Sequence, residues 1–359
     1  MSRKTRLLLV FGYVGFLAFL LEGSARLAFL IPHISTRLQG DEDYTWRRNW
    51  VHRHQTSGVK IYYKFDIYDP SKGWILKPNL RDMKAFDDKV LNTNSKGFRG
   101  KRDFPYIKNK ENLRILILGD SFTFGEGVSD DETYSHYLQE SLPNTEVINL
   151  GVHGYGHDQM LILLKEEGVK YEPDIVILGF LPRDMPRNLL KFRDFAKPRF
   201  VLKRDKLTLT GTPVPRPEDI LQWDWTSPKI FDLFSIMRYK VRVKLGLYKK
   251  EMLDITTAIL MDMIGVIESI HAIPILVYLP AGREIYMYPA VIQDEAYMFS
   301  TCQLNGKAKC FSTRSSFAEK IAKGETFNLI GHWGPEGHRT VAEAIKHYLV
   351  DDEHITVQH

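Results

Sequence analysis

The chain has 359 residues, 44% of them hydrophobic and 12% aromatic, which excludes a disordered polymer and allows a sizeable core. Its net charge of +5 is modest for this length. With no dense Lys/Arg stripe or binding motif, nucleic acid is excluded as the expected partner, and the basic excess suits an anionic membrane or an acidic polymer.

The first element begins at the N-terminus. Ser2-Arg3-Lys4-Thr5-Arg6 is basic, and Leu7 to Leu21 is an unbroken apolar run. Glu22 and Arg26 can pair at i, i+4, and apolar residues resume from Leu27 to Ile31 before Pro32 ends the segment. Counted from Leu7 to Ile31, a helix spans the roughly 30 Å hydrocarbon core. Residues 1–32 therefore read as a cytoplasmic stub and a single membrane anchor. Basic residues before the span predict a cytoplasmic N-terminus and an extracytoplasmic, periplasmic remainder. A cleaved signal peptide is the rival, because Gly23-Ser24-Ala25 offers small residues at cleavage-like spacing. Glu22 and the apolar continuation favour the uncleaved anchor.

Residues 33–105 form a connector and an N-terminal extension. From 33 to 58 the chain is polar, rich in Arg, His and Trp, and without a clear period. From 59 to 105 it carries turn signals and short strand-like runs such as Val59–Tyr63. Two patterned pieces stand out, Gly73-Trp74-Ile75-Leu76-Lys77-Pro78-Asn79 and Asn92-Thr93-Asn94-Ser95-Lys96-Gly97-Phe98-Arg99-Gly100.

Residues 106–359 alternate strand and helix, which predicts an α/β domain built on a parallel sheet. Strands are expected at 114–118, 146–150, 174–179 and 273–279, with helices at about 131–142, 157–168, 251–270 and 336–349. An insertion at about 186–250 is rich in Arg, Lys, Pro and Trp. Its basic core, Met237–Lys244, reads as a solvated face or as a contact for lipid headgroups or an acidic polymer. Cys302 and Cys310 flank an Asn-Gly turn signal, so a small disulfide loop is feasible outside the cytoplasm. Two cysteines are too few for a structural zinc site.

Gly119-Asp120-Ser121-Phe122 follows the apolar run Arg114–Leu118, placing a serine where open α/β sheets put their sites. Acyl transfer by a serine needs a base, an orienting group for that base, and donors for the oxyanion. Ser121 is the candidate nucleophile and His332, in the loop before the last helix, the candidate base. Gly154 follows the second strand and lets a backbone N–H approach a substrate closely. His338, in the first turn of the last helix, reads as a packing or capping histidine. His153 and His157 are four apart, but Gly154 and Gly156 between them argue against a helix and a metal.

Gly119–Phe122, Asn149–Gly154, the third strand ending at Asp184, and Gly331–His338 occur in the order of the GDSL/SGNH hydrolases. The chain resembles the membrane-anchored bacterial members of that family, in which pieces like Gly73–Asn79 and Asn94–Arg99 precede the GDS block. The resemblance runs from about residue 68 onward and weakens across 186–250. It implies a flavodoxin-like α/β/α sandwich, ester hydrolysis or acyl transfer, Ser121 as nucleophile and His332 as base. It also implies oxyanion donors at the N–H groups of Ser121 and Gly154, and no cofactor.

Two positions depart from the family pattern. Arg183 stands before Asp184 where the family has its third oxyanion donor, an Asn; losing such a donor costs roughly 3–4 kcal/mol. Arg183 can donate to the oxyanion, bind an anionic substrate group, or pair with Asp184, and Arg183 and Asp184 are both candidate substrate contacts. Leu329 and Ile330 stand where the triad acid belongs, and losing that acid costs roughly 10⁴-fold in rate. Glu325 and Asp294 are carboxylates that could replace it. Three functions stay open: an esterase removing a small acyl group from an envelope glycan, an acyltransferase, and a non-catalytic binding protein. No feature of the sequence specifies an oligomer.

Overall fold

The computed structural model describes residues 2–40, 42–56, 64–328 and 330–353. In chain order it opens with helices α1 (Arg3–Leu30), α2 (Pro32–Leu38) and α3 (Asp43–Thr56), followed by strands β1 (Asp66–Asp69), β2 (Gly73–Leu76), β3 (Met83–Ala85) and β4 (Lys89–Leu91). Next come β5 (Leu113–Leu118), α4 (Ser121–Phe124), α5 (Tyr134–Ser141), β6 (Thr145–Asn149), α6 (His157–Glu166) and β7 (Ile175–Phe180). Strands β8 (Arg199–Lys203) and β9 (Lys206–Thr210) precede α7 (Pro217–Thr226), α8 (Lys229–Lys244) and α9 (Leu247–Ser269). The chain closes with β10 (Ile273–Tyr278), α10 (Gln293–Asn305), β11 (Lys309–Ser312), α11 (Arg314–Ala322) and α12 (Pro335–His347).

Contacts divide these elements into two units. One comprises residues 1–59, 190–196 and 215–251; the other comprises 60–189, 197–214 and 252–359. In the first, α1 is long and apolar enough to cross a membrane. It stops at Leu30, and Pro32 starts α2, as a proline at a first helical position should. The Glu22–Arg26 pair forms at 2.6 Å.

The connector, which shows no clear period in sequence, is helical through α2 and α3. Tyr44, Arg47, Trp50 and Val51 all face inward on α3. Their three- and four-residue spacing is a helical stripe hidden by an arginine, whose Nη2 meets Asp232 Oδ1 at 2.7 Å. Val59–Tyr63, expected as a strand-like run, lies outside the described residues.

The second unit is built on a five-stranded sheet in the order β11-β10-β7-β5-β6, every neighbouring pair parallel. In sequence order that is the 2-1-3-4-5 arrangement of flavodoxin-like folds, as expected, with its switch point between β5 and β7. The apolar runs LRILIL and IVILGF are buried on both faces, the signature of a covered parallel sheet. Ile115, Ile117, Ile177 and Val277 meet Tyr134 and Leu138 of α5 and Val341 and Ile345 of α12 in one core. Leu116 faces the other way, where a side chain on Gly168 would touch both Leu116 and Leu164. Helix α9 lies on that side too, tied to α6 through Lys165 and Asp262 at 2.7 Å.

The sequence pattern missed β11, whose four residues, KCFS, are only half-buried. A disulfide joins Cys302 and Cys310, but it links α10 to β11 rather than closing a hairpin. Gly306, with φ of 71°, ends α10 and begins the connection. Within 186–250, β8 and β9 form an antiparallel hairpin and the basic run Met237–Lys244 is the second half of α8.

Candidate active site

Ser121 is the first residue of α4, immediately beyond the carboxyl end of β5 and therefore beside the switch point. Asp120 starts that helix by accepting the Phe122 N–H through Oδ1 at 3.0 Å. As the first helical residue, Ser121 keeps an N–H without an intrahelical acceptor. Its Oγ lies 2.7 Å from His332 Nε2 and 3.2 Å from Asp120 Oδ2, although 211 residues separate it from the histidine. The single hydroxyl proton has two acceptors on offer, and the shorter contact is to the imidazole. The ring of His332 sits 4.8 Å from that of Phe122, itself packed edge-on against Trp333.

The glycine loop after β6 comes close to this helix. A Cβ on Gly151 would stand 2.3 Å from the backbone nitrogen of Phe124, so only glycine permits the approach. Gly154 has φ of 74°, a left-handed backbone that glycine adopts without strain. Both patterned pieces of the N-terminal extension buttress these loops. Trp74 Nε1 donates to His153 O at 3.1 Å, and Tyr155 OH donates to Trp74 O at 2.5 Å, gripping Gly154 from both sides. Arg99 is buried under the serine turn and donates to the carbonyls of Phe124, Gly125 and Val128 at 3.2, 3.3 and 2.8 Å. The sequence displayed these pieces as motifs without revealing that each holds one site loop.

The segment after β7 differs from expectation. Arg183 is exposed, and among the described residues the ion-pair partner of Asp184 is Arg187. Asp184 is fully buried and bonded to Arg187 Nη1 at 2.5 Å, which corrects both the Arg183–Asp184 ion pair and a substrate-contacting role for Asp184. Arg187 is the residue that the sequence reading missed. Its Nη1 also reaches Asp120 Oδ2 at 3.1 Å and Tyr155 O at 2.8 Å. One buried guanidinium thus ties the serine turn, the glycine loop and the third strand end together. An Arg three residues after an Asp was the available signal, but it fell where an insertion was expected to begin.

Of the proposed replacement carboxylates, Glu325 is 3.7 Å from Lys320 Nζ, and Asp294 opens α10. Among the described residues, neither forms an ion pair with His332. Glu126 Oε2, 3.8 Å from His332 Nε2, is the carboxylate within ion-pair reach of the imidazole among the described residues. Ile330 is exposed, and Leu329 lies outside the described residues. His153 pairs with Asp66 at 2.8 Å, whereas His157 is buried and stacked on Phe180, so the two do not share a site. A cavity of about 600 Å³, lined by residues such as Asn92, Arg99, Asp130, His136 and Gln139, contains neither Ser121 nor His332.

His338 packs as expected, its Nδ1 accepting the Tyr134 N–H at 3.2 Å. Burial holds both His157 and His338 down to about 3, assisted by Arg187 at the first and by Arg99 and His332 at the second. The unfolded chain binds protons on these two side chains below about pH 6.5, while the folded chain does not until about pH 3. Stability is therefore retained above about pH 6.5 and lost as the pH falls toward 3, at up to about 1.4 kcal/mol per unit for each histidine. Urea titrations between pH 7 and 4 should show this slope, and His338→Gln should remove about one proton of it. An unchanged slope would refute the burial argument.

No protein-family model matches the chain, and no curated protein matches it. Solved structures do. A member of the lipolytic G-D-S-L family from Veillonella parvula is 14% identical, with a TM-score of 0.39 covering 67% of this chain and 99% of its own. An acetylxylan esterase from Geobacillus stearothermophilus, solved as a catalytic mutant, is 15% identical, with a TM-score of 0.38 covering 67% and 94%. Likeness of this size leaves the chemistry to be read from the residues themselves.

Proposed function

We propose that the chain is a membrane-anchored serine esterase of the GDSL/SGNH type, facing the periplasm and removing a small acyl group from an envelope glycan or similar ester. The observation that carries this reading is the 2.7 Å contact between Ser121 Oγ and His332 Nε2 at the carboxyl edge of a parallel sheet. Ser121 Oγ attacks the acyl carbon while its proton passes to His332 Nε2. The imidazolium then returns that proton to the leaving alcohol, and water, activated by the same histidine, releases the acid. The N–H groups of Ser121 and Gly154 are the oxyanion donors in this scheme, with exposed Arg183 available to an anionic part of the substrate. Glu126 Oε2 lies beside Nε2, the nitrogen that faces Ser121, so it does not take the place at Nδ1 of the acid absent at 329–330. Helix α1 supplies the anchor.

A fluorophosphonate should label the folded protein, and p-nitrophenyl acetate should be hydrolysed. No labelling of folded protein would favour a binding role instead. The same scaffold supports acyl transfer, and turnover that rises on adding a sugar acceptor, with acylated sugar as product, identifies a transferase.

A further inference from the structure

Helix α8 belongs to the same unit as α1 and packs beside it. Glu22, the charge that interrupts the apolar run of α1, caps α8: its carboxylate accepts the N–H groups of Lys229 and Ile230 at 3.0 and 3.1 Å. A carboxylate at a helix N-terminus meets both the unsatisfied donors and the dipole. Farther along, Lys240 Nζ donates to Arg37 O at 2.8 Å. Helix α8 therefore starts level with Glu22 and continues alongside the end of α1 and α2. If Leu7 marks one boundary of a hydrocarbon core of about 30 Å, a rise of about 1.5 Å per residue puts the other near Leu27. The first turns of α8 stand at that level.

Those turns carry the wrong surface for water. Asp232 and Ile236 face inward, whereas Phe231, Phe234, Met237 and Val241 recur at three- and four-residue spacing and are 70, 69, 50 and 52% exposed. Leu27 and Leu30 of α1 are exposed at the same level, at 57 and 76%. The exposed cations Arg238 and Lys244 accompany the stripe. Exposed aromatic rings with Arg and Lys beside them suit the boundary between acyl chains and anionic headgroups.

We propose that α8 is a second membrane contact, its Phe231–Phe234 face seated at the outer boundary of the bilayer and its cations on anionic headgroups. Lipid is favoured over a protein partner because the stripe continues the exposed apolar surface of α1 and because its charges complement acidic lipids. The inference rests on α1 spanning the membrane, and the test separates the two.

The full chain, reconstituted in phosphatidylcholine vesicles with and without phosphatidylglycerol, is spin-labelled at single cysteines replacing Leu17, Phe231, Phe234 or Lys346. Cys302 and Cys310 are the chain's only cysteines and are joined, so the introduced thiol is the reactive one. Oxygen-to-nickel-chelate accessibility at 231 and 234 should exceed that at Lys346 several-fold. Arg238→Glu should lower it at 234 in the anionic vesicles and leave it unchanged in neutral ones. Water-like values at both 231 and 234 with lipid-like values at 17 overturn the proposal and leave the anchor standing. Water-like values at 17 overturn both. Labels at 231 and 234 shielded from both reagents would mean protein covers the face, which also overturns it. Equal depth for Arg238→Glu and the parent in anionic vesicles removes the headgroup contact.

Discussion

Ser121→Ala should abolish fluorophosphonate labelling and lower ester turnover by roughly 10⁴- to 10⁶-fold, the range expected when a covalent nucleophile is lost. The change removes one oxygen from a nearly buried position and leaves the Asp120 cap on Phe122 in place, so the fold should persist and the melting temperature should barely move. His332→Ala should cost about as much, and the double variant little more than either alone, because members of one proton-transfer unit are not additive. Single-turnover labelling rates and kcat for p-nitrophenyl acetate measure this directly. The informative failure is specific. Ser121 Oγ has a second acceptor in Asp120 Oδ2 at 3.2 Å, so a His332→Ala variant that still labels within about tenfold of the parent would make the aspartate the base.

The strand edges that hold this site were legible because buried parallel strands are short continuous apolar runs. LRILIL and IVILGF cannot be exposed without large cost, and their order along the chain defines the crossovers. β11 was not legible, since a half-buried edge strand of four residues containing lysine and serine carries no such signal. Helix α3 was hidden for a related reason: its inward face uses Arg47, and a buried arginine breaks an apolar stripe until its partner Asp232 is known. Ser121 and His332 were legible from local context, as a serine at a strand end and a histidine before a final helix. Their supports were not. Trp74 reaches His153 across 79 residues and Arg187 reaches Asp120 across 67, and nothing in local periodicity encodes a contact of that range. Pairing with Asp184, one of the three roles left open for Arg183, illustrates the same limit: Asp184 instead bonds Arg187, one 3₁₀ turn later.

Arg187→Met should strongly destabilise the fold. Its guanidinium sits between Asp120 and Asp184, both 0% exposed, and also donates to the Tyr155 carbonyl. Removing one partner from a buried ionic cluster strands the remaining charge, which typically costs about 3–5 kcal/mol. Against a total of about 5–15 kcal/mol, that is enough to unfold a substantial part of the population on mild heating. The loss should be partly reversible by chemistry rather than by packing. Asp184→Asn and Asp120→Asn remove the stranded charges while keeping side-chain oxygens, and asparagine at 120 still caps α4. Chemical denaturation of the single, double and triple variants forms a cycle in which adding both substitutions to Arg187→Met should be less destabilising than their effect on the parent predicts, by about 1–3 kcal/mol. Additive losses would show that Arg187 acts through its methylenes alone. The labelling rate separates positioning from folding. In folded Arg187→Met, Asp120 lies beside Ser121 without its counter-charge, so the anion developing on the attacked ester is opposed and labelling slows. Adding Asp120→Asn should restore the rate more than it restores the stability, a split that a purely structural role for Arg187 does not produce.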